Sequence, residues 1–124
     1  MENQIRWFEI PVTDMDRAKS FYQKVFATQL TDMTLANGLQ MAMFPGNEKT
    51  VSGALCYHPE FYKPSMEGTL VYLNADPSIG TVLDRITAAG GSILVPQTKI
   101  SDTAGSMAVF TDSEGNRIAL HSSE

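Results

Sequence analysis

Apolar residues recur along this chain with two periods, one typical of strands and one typical of helices. The segment Ile5–Val12 is rich in β-branched and aromatic residues, which predicts a strand. After Thr13 or Asp14, either of which can cap a helix, apolar side chains recur every three or four residues as far as Phe26. Three short strand candidates separated by turn-forming residues follow, at Leu30–Leu35, Leu39–Phe44 and Val51–Tyr57. The first half therefore predicts the order β-α-β-β-β.

The same order of periods returns in the second half. Pro77 and Ser78 open a helix that ends at Gly90 and Gly91, residues that commonly terminate helices. Strands are predicted at Thr69–Asn74 before this helix and at Ser92–Val95, Met107–Thr111 and Arg117–His121 after it. The polar segment Gln97–Gly105 is predicted to be a loop, either a mobile connection or a lid over a cleft.

The two halves are related by an internal repeat. Their strand-to-helix junctions place Asp14 opposite Asp76, a separation of 62 residues that is half of the 124-residue chain. We therefore predict one α+β domain, residues 1–124, with a first module at about 1–60 and a second at about 68–124. A small sheet with a single helix leaves one face uncovered, so the two modules are expected to share a core or to surround a cleft. A cleft favours a small-molecule ligand.

Composition narrows the classes of partner. Nine Lys and Arg against fourteen Asp and Glu give a net charge of −5, which repels nucleic acid and anionic membrane surfaces. The single cysteine, Cys56, cannot form an intrachain disulfide and is expected to be a small buried hydrophobe. The first residues lack the basic patch and apolar stretch of a secretion signal. These features predict a cytoplasmic protein.

Three segments then stand out together: Trp7–Asp14 with Ala18, Phe21 and Tyr22; Gly68–Leu73 with Asp76, Gly90 and Gly91; and Phe110–Ile118. Placed in this order on a β-α-β-β-β repeat, they resemble the vicinal oxygen chelate superfamily, the group of glyoxalases, bleomycin-resistance proteins and extradiol dioxygenases. The resemblance covers nearly the whole chain. It implies two modules that form an open, barrel-like sheet around a cleft, in a homodimer.

Metal-dependent members of this superfamily carry ligands at the start of each module's first strand and in each module's last strand. The positions that this resemblance designates are Trp7, Thr69 and Ala119, and none of these side chains is a usual metal ligand. Glu9 and His121 lie two residues further along the same strand faces and would rebuild only part of a site. The resemblance therefore implies a protein without the usual metal, and we expect no other cofactor.

Alternation along the strands selects the candidate ligand-binding residues. Trp7 and Glu9 are predicted to face the cleft, because the apolar residues between them must face the helices. By the same alternation Thr69 and Val71 face the cleft from the second module, and His121 faces it from the last strand. The predicted ligand-binding residues are therefore Trp7, Glu9, Thr69 and His121.

Structural alternatives remain open for three of these side chains. Trp7 either fills the core or provides a surface on which a planar ligand stacks. Glu9 is either a ligand contact or a structural carboxylate satisfied by an N–H group, a basic side chain or water. His121 is either an exposed residue of a frayed chain end or, if ordered on the cleft face, a polar partner of Glu9 that holds a ligand or moves a proton.

Three functions are compatible with these observations. The leading hypothesis is a metal-free protein that binds a small organic ligand in the cleft, and whether it also catalyses a reaction is left open. The second is a metal-dependent lyase, isomerase or dioxygenase. The third is an interaction module without a specific ligand.

Overall fold

The computed structural model describes residues 3–47 and 49–124. Its elements are β1 (Trp7–Pro11), α1 (Met15–Val25), β2 (Thr31–Thr34), β3 (Gln40–Met43), β4 (Ser52–Tyr57), β5 (Tyr72–Asn74), α2 (Ile79–Ala89), β6 (Ser92–Ser101), β7 (Gly105–Thr111) and β8 (Arg117–Ser122). They form two four-stranded sheets with the strand orders β1-β4-β3-β2 and β5-β8-β7-β6. In each sheet the strand that comes first in the chain pairs in parallel with the strand that comes last, β1 with β4 and β5 with β8. The other pairs are antiparallel. The prediction of an α+β fold with two β-α-β-β-β modules is confirmed.

The two helices pack against each other, and each also packs against strands of its own module. Their apolar faces share one core with both sheets, in which Phe21 lies edge-on to Tyr22 with ring centroids 5.0 Å apart. The two sheets do not join at their edges: within the described chain, no Cα atom of β1 lies within 8 Å of a Cα atom of β5. The core therefore holds the modules together through their helices and leaves a gap between the two edge strands.

The helix starts confirm the repeat but correct its spacing. Asp14 caps α1 by accepting a hydrogen bond from the Arg17 N–H at 3.1 Å. The equivalent cap of α2 is Ser78, 64 residues later, so the predicted equivalence of Asp14 and Asp76 is wrong. Asp76 instead accepts a hydrogen bond from the Ser123 N–H at 2.8 Å, which ties the chain beyond β8 to the segment that precedes α2.

The first strand of the second module is shorter than predicted, and its buried and exposed faces are exchanged relative to the prediction. Strand β5 covers only Tyr72–Asn74, and Thr69 lies before it in an exposed connection. Val71 packs against the core, whereas the exposed side chain of Tyr72 lies on the other face of the strand. The physical reason is one additional residue between β5 and α2, because an odd change in register moves every strand side chain to the opposite face.

The segment predicted to be a loop at Gln97–Gly105 is mostly strand. Strand β6 continues through Ser101, and β7 begins at Gly105 after a tight turn. The register of β6 against β7 shifts between Val95 and Thr98 and again between Lys99 and Ser101. Nearly every residue of β6 is exposed at this sheet edge, so the segment lacks the alternation of apolar and polar residues by which half-buried strands are recognised.

A carboxylate from the second module binds the start of helix α1. The Glu114 side chain, in the turn between β7 and β8, accepts hydrogen bonds from the N–H groups of Thr13 and Asp14 at 2.9 and 2.8 Å. It also pairs with the Arg17 guanidinium at 2.7 Å. Burial works to raise the pKa of Glu114, but the hydrogen bonds from Arg17, Asp14 and Thr13 outweigh burial and lower the pKa to about 2. Glu114 is therefore ionised at neutral pH and links the modules.

A second polar link lies beneath the first. The buried Asp112 carboxylate accepts a hydrogen bond from the Tyr22 hydroxyl at 2.7 Å and another from the Asn116 amide at 3.0 Å. The same amide donates to the Pro11 carbonyl at 2.8 Å. Burial and the neighbouring Asp112 carboxylate raise the pKa of Tyr22 well above its ordinary value, so this hydroxyl stays protonated. These hydrogen bonds hold the turn between β7 and β8 against helix α1 and the end of β1.

No helix in the described part of the chain is long and apolar enough to span a membrane.

Candidate functional site

A groove of about 1180 Å³ lies between the edge strands β1 and β5, and we call it the edge groove. Besides the two strands, residues after α1 and around the β3–β4 connection contribute to it. Its lining residues are Asn3, Gln4, Ile5, Trp7, Phe8, Glu9, Phe26, Thr28, Phe44, Pro45, Val51, Ser52, Thr69, Leu70, Val71, Tyr72, Leu73 and Asn74. Small-molecule sites commonly have volumes of about 300–1,000 Å³, so the edge groove is large enough for a ligand of several rings.

The base of the edge groove is apolar and continuous with the core. Phe8, Phe26, Phe44 and Val71 all pack against buried core residues. Phe8 and Phe44 contact each other with ring centroids 5.7 Å apart. These residues lie where the two sheets fail to meet, so the gap left by the fold exposes part of the core to a ligand.

Two aromatic side chains remain largely exposed at the edge groove. Trp7, on β1, is 43% exposed, and Tyr72, on β5, is 51% exposed. Each occupies the strand face that points away from its own helix, which is why neither joins the core. Of the two sequence interpretations of Trp7, core filler or stacking surface, this exposure favours the second.

The Glu9 carboxylate is held by two neutral donors. The Trp7 indole N–H donates to Glu9 Oε2 at 3.2 Å, and the Tyr62 hydroxyl donates to Glu9 Oε1 at 2.5 Å. Tyr62 comes from the connection between the modules and packs against the small buried cluster that contains Met41 and Cys56. The structure therefore shows a carboxylate that is both positioned by neighbours and exposed at the edge groove.

Two groups near Glu9 stay protonated at neutral pH. The hydrogen bond to Glu9 is the largest of the effects that raise the pKa of Tyr62 to about 12. Burial, followed by the charge of Glu9, raises the pKa of the Cys56 thiol to about 12. A thiol with this pKa is a poor nucleophile near neutrality, which agrees with Cys56 as a small buried hydrophobe.

The structure brings together three of the four predicted ligand-binding residues. Trp7, Glu9 and Thr69 all line the edge groove. His121 does not line the edge groove: it lies on β8 in a smaller pocket that adjoins the groove at Tyr72, and its Nε2 is 2.6 Å from the Ala104 carbonyl oxygen. It is half-buried within a strand rather than part of a frayed end.

Glu9 and His121 do not form the polar pair that the sequence left open. Among the described residues, the hydrogen-bond partners of Glu9 are Trp7 and Tyr62, and the partner of His121 is Ala104. The two side chains lie on different sheets and line different pockets.

The donor set does not fit the metal of the superfamily's metal-dependent members. Within residues 3–47 and 49–124, no three His, Cys, Asp or Glu side chains are grouped as metal ligands would be. Of the three positions designated by the resemblance, Trp7 and Thr69 are exposed residues at the edge groove, and Ala119 is a fully buried methyl group. Whether the purified protein is free of metal stays a prediction.

Sequence reasoning missed Tyr62 and Tyr72 as site residues. Tyr72 was recoverable, because it lies between Val71 and Leu73, two apolar residues spaced as on one buried strand face, and so must point to the opposite face. Tyr62 carried no such signal. Its contact with Glu9 spans 53 residues and depends on how the connection between the modules folds back onto the first sheet.

Comparisons with known proteins identify the family of this chain. Residues 4–120 match the family model described as the Glyoxalase/Bleomycin resistance protein/Dioxygenase superfamily. The protein CFP32 of Mycobacterium bovis is 26% identical over 117 residues, which are 92% of this chain and 43% of that protein. The chain therefore spans less than half the length of this relative.

Solved structures show the same fold. A variant of maize (Zea mays) glyoxalase I superimposes with a TM-score of 0.70 at 19% identity, covering 95% of this chain and 45% of that one. TnmS3, an antibiotic binding protein from Streptomyces sp. CB03234, superimposes with a TM-score of 0.67 at 22% identity, covering 100% of this chain and 99% of that one. At these identities the likeness establishes the fold alone. The family match over nearly the whole length shows that this chain belongs to the glyoxalase/bleomycin resistance protein/dioxygenase superfamily.

Proposed function

We propose that this protein binds a small organic ligand with a planar aromatic part in the edge groove, without the usual catalytic metal. The observation that carries the proposal is the pair of exposed aromatic side chains, Trp7 and Tyr72, at an apolar groove between two sheet edges. Exposed aromatic rings beside an apolar cavity are typical of binding sites, because a ligand removes their surface from water.

The comparison with TnmS3 supports a binding function. That protein is an antibiotic binding protein of nearly the same length, and it shares the whole fold with this chain. The Met side chains of the neighbouring cluster would help such a site adapt to different apolar shapes, since Met has a flexible and polarisable side chain. Met41 and Met43 belong to that cluster.

The proposal extends to assembly and surroundings. We propose a cytoplasmic homodimer that needs no cofactor and binds no nucleic acid. The acidic net charge supports the last point. Exposed apolar side chains on β6, among them Ile93, Leu94 and Ile100, support self-association, because a second copy would remove them from water.

The single tryptophan makes a direct test possible. Trp7 lines the edge groove and is the only Trp in the chain, so its fluorescence reports on this site alone. We expect acridine, a planar tricyclic compound that is neutral at weakly alkaline pH, to quench Trp7 saturably. Tyr72→Ala should weaken this binding roughly 2- to 10-fold, since an aromatic contact contributes about 0.5–1.5 kcal/mol.

A matched control uses an aromatic residue elsewhere. Phe61 is 75% exposed and does not line the edge groove, so Phe61→Ala should leave the affinity unchanged. Equal losses in Tyr72→Ala and Phe61→Ala would contradict a site at the edge groove. If neither acridine nor its N-methylated cation quenched Trp7 saturably, the proposed function would be wrong.

A further inference from the structure

Glu9 is the one charged side chain among the described residues that line the edge groove. The other lining residues are apolar, aromatic, amide or hydroxyl side chains. A lone carboxylate in such a groove sets the charge that a bound ligand meets.

Among residues 3–47 and 49–124, no basic side chain forms an ion pair with this carboxylate. In the described parts of the chain the ion pairs within 4 Å join Arg17 to Glu114, Lys19 to Asp32 and Lys99 to Asp102, and none involves Glu9. The two donors that hold Glu9, an indole N–H and a phenol O–H, are neutral. They orient the carboxylate and leave its negative charge uncompensated.

Hydrogen-bonding capacity also remains on the carboxylate. An ionised carboxylate accepts about four hydrogen bonds, and the indole and the phenol use one on each oxygen. Because Tyr62 stays protonated with a pKa of about 12, it continues to donate rather than adding a second negative charge. By this count each oxygen of Glu9 can accept one further hydrogen bond.

We propose that the ligand of the edge groove carries a positive charge, such as an ammonium, guanidinium or N-alkylated heteroaromatic group, and that Glu9 binds this charge. The inference rests on the proposed function and adds the chemical class of the ligand to it. A neutral or anionic ligand would cover the Glu9 carboxylate without compensating its charge, which is costly. A cation compensates it and also interacts favourably with the faces of Trp7 and Tyr72.

The test compares two ligands of the same shape by isothermal titration calorimetry at weakly alkaline pH. One is 10-methylacridinium, a fixed cation, and the other is acridine, which is neutral there. Wild type should bind the cation about 10- to 100-fold more tightly, as expected for an interaction between charged groups. Glu9→Gln keeps the size of the side chain and should abolish this preference, whereas Glu9→Asp should retain it.

Controls separate a local effect from net charge and from folding. Glu60, an exposed residue of the connection between the modules, does not line the edge groove, so Glu60→Gln should keep the preference. Circular dichroism should show that Glu9→Gln is folded. If it is not folded, the salt dependence of binding to wild type decides. Raising NaCl from about 20 mM to about 0.5 M should lower the affinity for 10-methylacridinium and leave the affinity for acridine unchanged.

The outcomes distinguish this inference from the proposed function. Equal affinity of wild type for both compounds, or a cation preference that survives in Glu9→Gln, would overturn the inference while ligand binding in the groove stands. If neither compound binds wild type, the proposed function fails and the inference fails with it.

Discussion

The carboxylate of Glu114 should stabilise the fold by linking the second module to the start of helix α1. Its Oε1 accepts from the Thr13 and Asp14 N–H groups, while its Oε2 faces the Arg17 Nε at 2.7 Å and the Ser113 hydroxyl at 3.0 Å. Glu114→Gln keeps an oxygen for the N–H groups. Its NH₂ group would instead face the Arg17 N–H, so the variant loses the charge and sets donor against donor.

The magnitude follows from the pKa of the carboxyl group. A fall from the ordinary value of 4.5 to about 2 sets an upper limit of about 3 kcal/mol on the stabilisation. The Glu114 side chain has no exposed surface, but Arg17 is 53% exposed, and solvent screens the pair. We therefore expect Glu114→Gln to lower the free energy of unfolding by about 1–2 kcal/mol at neutral pH.

The pH dependence gives a second, independent check. Because the pKa is lowered in the folded state, the stabilisation is complete above the unfolded-state value of 4.5 and is lost as the pH falls through about 2. Wild type should therefore lose this contribution across that range, while Glu114→Gln has nothing to lose at this position. The difference between the two proteins should approach zero near the lower end.

Urea unfolding followed by circular dichroism, at several pH values between about 7 and about 2.5, measures both effects. Glu60→Gln, at an exposed position, serves as the control for loss of one negative charge and should change stability by less than about 0.5 kcal/mol. A Glu114→Gln variant as stable as this control at neutral pH, or a difference from wild type that does not shrink on acidification, would refute the reasoning.

Four further predictions concern packing, assembly and metal content. Tyr22→Phe removes the donor to the buried Asp112 carboxylate and should cost about 1–3 kcal/mol in urea unfolding; an unchanged midpoint would show that this bond contributes nothing. Gly53→Ala should destabilise strongly, because its Cβ would lie 2.4 Å from the Phe8 carbonyl oxygen, whereas Gly80→Ala at the start of α2 meets nothing closer than 3.7 Å and should be neutral or stabilising by up to about 1 kcal/mol; the same thermal shift for both would contradict the packing. Light scattering at tens of micromolar should report a dimer, and a monomer mass would remove that prediction. Plasma mass spectrometry on protein purified without an affinity tag should find far less than about one equivalent of zinc, nickel, manganese or iron, and near one equivalent would favour the enzyme hypothesis.

Local sequence patterns were sufficient for the order of the elements and for the fold, although not for the extent of β5 and β6. The spacing of apolar residues in α1, the cap at Asp14 and the terminating Gly90 all appear in the structure as predicted. They could be read from the sequence because each depends on residues three or four positions apart. The repeated order of elements then left few ways to arrange two modules, and the two sheets have the same strand order.

Alternation worked for β1 and failed for β5. Along β1 the side chains of Trp7 and Glu9 are exposed on one face, as predicted. Ile10 and, just after the strand, Val12 are buried on the other face. In β5 the spacing of the repeat predicts the wrong faces, because the connection to α2 is one residue longer than the connection from β1 to α1. An insertion of one residue is nearly invisible in a pattern, yet it exchanges the two faces of a strand.

The sequence by itself determined that Glu9 and Trp7 share the exposed face of a strand, because that depends only on local alternation. Only the tertiary structure decided what surrounds them. Tyr62 reaches Glu9 from 53 residues away, and Tyr72 lines the same groove from the other module. The packing of α1 against α2 sets the gap between the two sheet edges, and with it the groove. Such placements depend on how whole elements pack, which no short-range pattern in the chain records.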